Sequence, residues 1–216
     1  MKTNLFKILA IFFAFGMFAL TSCDTSEPDQ QSAEDDARGG YMMADAFAVS
    51  NDNTNDDGGK ALLVEGMEIE RSLLEHKVKI TFSNCDYRGA KRNGVINIAY
   101  DFALEPSNLG AYNLVITFED YTVDGVGLEG TITTTFGGIY DTPAITIVGT
   151  GMVATFSNGE TISWNSSQVY TLEGGFVNGL VGDTVVVSGT SEGVNRKGES
   201  FKSTYANVTL NRACED

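Results

Sequence analysis

The chain has 216 residues, 42% of them hydrophobic, with 29 acids against 14 Lys and Arg and a formal net charge of −15. That length suits one domain with a sizeable core, and so acidic a chain repels phosphates, which argues against nucleic-acid binding. Three cysteines and a single histidine offer little for a His/Cys metal site.

Lys2 and Lys7 give the chain a cationic start, and Ile8 to Leu20 is an apolar run of thirteen residues. This is the layout of an export signal, too short for the roughly twenty residues that span a bilayer. The run ends in Leu20-Thr21-Ser22-Cys23. Those four residues resemble the lipobox of bacterial lipoproteins, in which the cysteine is acylated and becomes the new N-terminus. The resemblance implies a signal peptide over 1–22, a lipid on Cys23 and attachment to a membrane without crossing it. One acyl chain binds a membrane only marginally, whereas two or more anchor it stably. Removing residues 1–22 takes away two lysines, leaving 194 residues at a formal −17.

Residues 24–59 hold ten acids and Arg38 as their one base. Rich in Gly, Ser and Asn, the segment 23–59 reads as an acidic flexible tether. As a free coil the 36 residues 24–59 would reach about 30–35 Å. Tyr41 to Val49 has the composition for a short helix, limited by Gly39-Gly40. Asn53, Asn55, Asp57 and Gly58 imitate the opening of an EF-hand loop. The first ligand is Asn and the twelfth position is Val64, so a solvated linker is the better reading.

Residues 61–75 are ambiguous. Leu62, Gly66, Ile69 and Leu73 fit a helical stripe, while Met67-Glu68-Ile69-Glu70 alternates like a strand; a short helix is the expectation. From His76 the period is two. Val78, Ile80 and Phe82 share one side, as do Ile96, Ile98, Tyr100, Phe102 and Leu104, and then Leu114, Ile116 and Phe118. Strands with one buried face follow, over 76–84, 95–105, 113–123, 128–136, 143–156, 160–172, 183–191 and 199–211. Asp124-Gly125, Gly137-Gly138 and Ser157-Asn158-Gly159 supply turns. Pro106 and Pro143 fall at strand ends. The sides slip near Asp120, Val148 and Asn165, which suggests bulges or strand ends there. The domain over 60–216 is therefore all-β, an antiparallel meander of about eight strands. It forms a barrel-like shape, a sandwich or an open single sheet, and something must cover its apolar face.

KRNGVINIAYDFAL (91–104) and NRKGESFKSTYANVTL (195–210) echo one another: basic residues beside Asn, a Gly, then an alternating strand with Tyr. With CDYRGAKRNGVINIAY, YTVDGVGLEGTITTTF, GETISW and SGTSEGVNRKGESF, in that order, most of 78–214 resembles uncharacterised cell-envelope lipoproteins of the Bacteroidota. These are built of repeated β-hairpins with Arg-x-Gly tips. The resemblance implies a repetitive antiparallel sheet and an envelope address, and brings no catalytic residues. Acids just after Cys23 are similar to surface-export signals in some of these bacteria. That leaves the periplasmic and surface faces of the outer membrane both open.

In a meander, alternate turns lie at one end. That end would gather Arg88, Lys91 and Arg92 with Arg196 and Lys197, a candidate patch for an anionic envelope ligand or a protein partner. Solvated hairpin tips explain the same residues. Cys85 and Cys214 are a candidate disulfide in an oxidising envelope compartment. The meander opposes it by placing them at opposite ends, beyond the roughly 7 Å that a bridge allows. His76 lacks a second His and belongs on the surface. Glu119, Asp120, Asp124, Glu129 and Glu173 are the carboxylates available for glycosidase-like chemistry, and strand-end or turn positions account for them as well. Trp164, Phe156, Phe176, Tyr170 and Tyr205 line either a ligand site or the core. No cofactor, metal or catalytic set emerges. The expectation is a lipid-anchored, non-enzymatic binding or structural module. A carrier of a small apolar ligand in a barrel-like cavity is the alternative, and a carboxylate-based hydrolase the third reading.

Overall fold

The computed structural model describes residues 29–54, 64–102, 112–137, 144–173 and 184–211. Helix α1 (Gln30–Thr54) is followed by strands β1 (Met67–Ser72), β2 (Lys77–Tyr87), β3 (Ala90–Phe102), β4 (Tyr112–Val123) and β5 (Val126–Phe136). Strands β6 (Ala144–Thr155), β7 (Thr161–Glu173), β8 (Thr184–Val194) and β9 (Ser200–Asn211) complete the chain order. The nine strands form one antiparallel sheet in sequence order, with β1 and β9 at its edges. Of the three shapes open to the sequence, it is the open sheet.

Two expectations are corrected. The region expected to be a short helix supplies β1, whose residues Met67 to Ser72 pair with Phe82 to Lys77. The Met67-Glu68-Ile69-Glu70 alternation was the true signal there, and β1 brings the strands to nine where about eight are expected. The second correction concerns the tether: its Gln30–Thr54 portion is a helix of 25 residues laid on the sheet. Asp29 caps it, its carboxylate accepting from the Ser32 backbone N–H at 3.3 Å and from the Ser32 hydroxyl. The bond from Ser32 holds the Asp29 carboxyl below the usual carboxylate range. Ser32, Asp36, Gly39, Met43, Ala46, Ser50 and Asn53 are all buried and recur at alternating spacings of four and three. From Asp45 to Asn51 every residue is buried. Among the described residues no helix is long and apolar enough to cross a membrane.

Bulges break the regularity of the sheet. Register shifts interrupt the ladders β2–β3, β3–β4, β4–β5, β5–β6, β6–β7 and β8–β9, and each bulge bends its strand and adds twist. The slips expected near Asp120, Val148 and Asn165 fall on these shifts. Asn165, between the paired Trp164 and Ser166, sits opposite the β6 bulge between Gly149 and Met152, while its other ladder, to β8, is continuous. Its side-chain oxygen accepts from the Gly151 N–H of that bulge at 2.8 Å. Gly94 has φ +88°, and a Cβ there would come within 2.2 Å of the Asp120 carbonyl oxygen, so only glycine fits.

The inner face carries Ile80, Ile96, Ile98, Leu114, Ile116, Leu128, Ile132, Met152 and Ile162, each at most 1% exposed, with Met43 and Phe47 of the helix pressed onto it. Four hairpins turn at one end. Arg88-Gly89 and Asp124-Gly125 have positive φ at both residues, the type I′ geometry. The turns at 156–160 and 195–199 match one another, with Gly159 donating to the Phe156 carbonyl and Gly198 to that of Asn195, both at 2.9 Å. The sequence echo is thus not structural. Gly94 lies inside β3 at a bulge, whereas Gly198 is a hairpin tip.

Candidate functional site

Three ion pairs join α1 to the sheet along their seam. Arg92 is fully buried and points inward from β3. Its Nη1 donates to Asp45 Oδ2 at 2.6 Å and Nη2 to Asp45 Oδ1 at 2.9 Å, a two-pronged pair. Nη1 also reaches the Tyr121 hydroxyl at 2.5 Å, and Nε donates to the Tyr87 carbonyl at 3.1 Å. Burial works against the guanidinium charge, but the bonds to Asp45 and the nearby Tyr121 outweigh it and hold its pKa above the ordinary value. Desolvation pushes the Tyr121 phenol up to about 12, although Arg92 pulls the other way.

Two further ion pairs lie along the same helix. Arg88 meets Asp52 at 2.5 Å and Arg196 meets Asp35 at 2.7 Å. Burial raises the Asp52 carboxyl, with Arg88 opposing. Asp35 also accepts the Arg196 backbone N–H at 2.8 Å, so the helix grips the β8–β9 tip by main chain and side chain together. Next to it, Tyr205 donates to Asp36 at 2.5 Å. Two guanidiniums lie over the Phe156 ring, Arg38 at 4.8 Å and Arg196 at 4.9 Å from its centroid.

This geometry revises the basic patch. All five residues do lie toward the tip end, as the meander implies. Arg88, Arg92 and Arg196, however, are engaged by carboxylates spread along α1 from Asp35 to Asp52. They do not converge on one site; Lys91 and Lys197 are exposed on separate hairpins. Arg92 had been assigned to a turn, but the turn is two residues at Arg88-Gly89, and Arg92 belongs to the inner face. The helix carboxylates were missed because their segment read as a linker.

Cys85 is a free thiol, fully buried on β2. Burial and then Asp86 push its pKa up. Cys214, Cys23 and Phe176 lie outside the described residues. Glu119, Asp120, Asp124 and Glu129 are exposed on strands and at a turn. Glu119 bonds Asn97 at 2.7 Å, and Asp124 accepts the Lys91 N–H at 2.8 Å. No side-chain surroundings are described for Glu173, which ends β7. His76 is exposed as expected and stacks on Tyr100 with centroids 5.5 Å apart. Asn53, first in the EF-hand-like series, is buried in α1 and donates to the Val49 carbonyl at 2.7 Å; Asn55, Asp57 and Gly58 lie outside the described residues. Among the described residues no group of His, Cys, Asp and Glu is arranged to hold a metal ion.

Trp164, Phe156 and Tyr205 pack against α1. Trp164 is buried and its indole N–H points at Met43 Sδ, 3.2 Å away. Gly39 permits this approach, since a Cβ there would sit 2.9 Å from Trp164 Cε2. Tyr170 bonds Gln168 at 2.5 Å, and burial lifts its phenol to about 12. On the outer face an open depression of about 470 Å³ runs over β6 to β9, lined by Val153, Ser163, Asn165, Glu192, Val194 and Ser200 among others. No protein-family model, curated protein or solved structure matches the chain.

Proposed function

We propose that this chain is a lipid-anchored bacterial envelope protein, held by Cys23 to the outer membrane, and that its sheet serves as a non-enzymatic binding or structural module. The observation that carries the reading is the run of Lys2, Lys7, thirteen apolar residues and Leu-Thr-Ser-Cys, ending at Cys23. The similarity to the Bacteroidota lipoproteins points the same way. Support for a module over an enzyme comes from the seam. The buried carboxylates Asp35, Asp36 and Asp45 are bonded to Arg196, Tyr205 and Arg92 and serve to dock the helix. The exposed carboxylates are scattered over the outer face and the turns.

The alternative, a carrier of a small apolar ligand, requires the inner face for its cargo. That face carries Met43 and Phe47 of α1, so a carrier would have to move the helix. Mass spectrometry of the protein extracted from native membranes tests both readings. The expected result is an N-terminal peptide beginning at acylated Cys23 and no stoichiometric small molecule. An intact leader on secreted protein would overturn the anchor, and a bound lipid would favour the carrier.

A further inference from the structure

The structure places the start of α1 at one particular end of the sheet. Asn195 Nδ2, on the β8–β9 tip, reaches Ser32 Oγ at 3.0 Å and Asp29 Oδ2 at 3.4 Å. Asp35 holds Arg196 of the same tip, and Arg38 lies over Phe156 of the β6–β7 tip. The chain therefore enters the fold at the tip end, pinned there by bonds to two neighbouring hairpins. Asp29 follows Cys23 by six residues. Six Cα–Cα steps reach at most about 20 Å. The far end of the sheet carries Leu73 and Leu74 in the β1–β2 turn, 76% and 98% exposed. It lies a strand length beyond the tips, about 36 Å for the 11 residues of β2.

We propose that the protein stands on the bilayer with its four hairpin tips toward the phospholipid headgroups and the Leu73–Leu74 turn facing away. This rests on the Cys23 anchor proposed above, and it replaces the long leash with a short one. A leash of 36 residues would let the domain take any orientation. With α1 folded, at most about 20 Å of chain remains between lipid and fold, less than the length of the domain along its strands. The surface presented to the headgroups is mixed in charge: Asp124, Glu160 and Glu199 are exposed at the tips beside Lys91, Lys197 and Arg38. Orientation is therefore set by the anchor point and not by attraction to anionic lipid. The exposed leucines are left on the side available to a partner in the surrounding medium.

The test uses full-length protein processed in a bacterial host, with intact mass confirming acylation at Cys23. In a Cys214→Ser background, with Cys85 buried, a donor dye is attached at Asn158→Cys on a tip or at Leu74→Cys on the far turn. Each protein is reconstituted into phosphatidylcholine vesicles bearing headgroup-linked acceptor dyes, and circular dichroism verifies its fold. Energy transfer is expected to be several-fold stronger from position 158 than from position 74. Equal transfer, or stronger transfer from 74, overturns the orientation. Should the mass show no acyl group, the anchor reading falls. The same two labels are then compared on a chain whose residues 1–23 are replaced by a polyhistidine tag held on nickel-chelating lipid, which tests the orientation alone.

Discussion

Replacing Asp45 by Asn removes the charge facing Arg92 while keeping the side-chain shape. Arg92 is fully buried, and the Asp45 side chain is 2% exposed, so water cannot take the carboxylate's place. Breaking a buried pair by removing one partner typically costs about 3–5 kcal/mol, because the remaining charge stays desolvated. Whole domains are stable by only about 5–15 kcal/mol. With a urea slope of about 2 kcal/mol per molar, the unfolding midpoint should fall by roughly 2 M. Asp45→Asn is therefore expected to unfold, followed by circular dichroism, at a urea midpoint roughly 2 M below that of the unsubstituted protein. The helix should also become open to limited proteolysis between Gln30 and Thr54 under native conditions. The double variant Asp45→Leu with Arg92→Met should recover much of the loss, since well-packed apolar replacements of buried pairs are often neutral. A midpoint shift worth less than about 1 kcal/mol, with unchanged proteolysis, would refute the docked helix and return the segment to a tether.

Gly39→Ala gains intrinsic helix propensity but drives a methyl group to 2.9 Å from the Trp164 ring; overpacking should win, costing about 1–3 kcal/mol and changing Trp164 fluorescence. Tyr112, Tyr121 and Tyr170 each have a phenol lifted to about 12 from the ordinary 10.0. The folded state thus favours the neutral phenol. Its contribution is fully present below pH 10 and is lost as pH rises through about 12, on the order of 2 kcal/mol per group. The phenolate absorbance of these three should therefore rise late and together with loss of the β-sheet dichroism; early, reversible ionisation of Tyr112, Tyr121 and Tyr170 would contradict their burial. Cys85 should react with a thiol reagent only on unfolding, because its thiol is buried and its pKa raised; fast native-state labelling at Cys85 would be inconsistent with the packing.

The strands were legible because a sheet covered on one face writes itself as alternation. The stretch 113–123 was expected, and Tyr112–Val123 is observed. The slips at Asp120 and Val148 were legible too, since a bulge shifts the alternation by one. Helix α1 was obscured for a different reason. Its buried stripe of Ser32, Asp36, Gly39, Met43, Ala46, Ser50 and Asn53 has the right spacing but few of the large apolar residues that make a stripe visible. Gly39 also argues against a helix by propensity, and its value appears only when Trp164 is placed beneath it. Composition recorded the net charge of the segment and could not record that three of its acids have arginine partners more than thirty residues away.

Arg92 shows how the two missed features explain each other. Counting back by twos from Ile98 and Ile96 puts residue 92 on the buried side, where an arginine is unexpected. A buried guanidinium requires an acid. The strand acids Glu119 and Glu129 are exposed and cannot serve. The counter-charge thus had to come from outside the sheet, and the one long acidic segment upstream supplies it through Asp45. The helix in turn is too polar to hold itself together in water, and helices owe most of their stability to packing. An apolar sheet with an inward arginine and a polar helix with an inward aspartate are each unstable alone. Together they form a closed unit, and its point of entry at the β8–β9 tip determines which end of the protein a lipid on Cys23 would hold against the membrane.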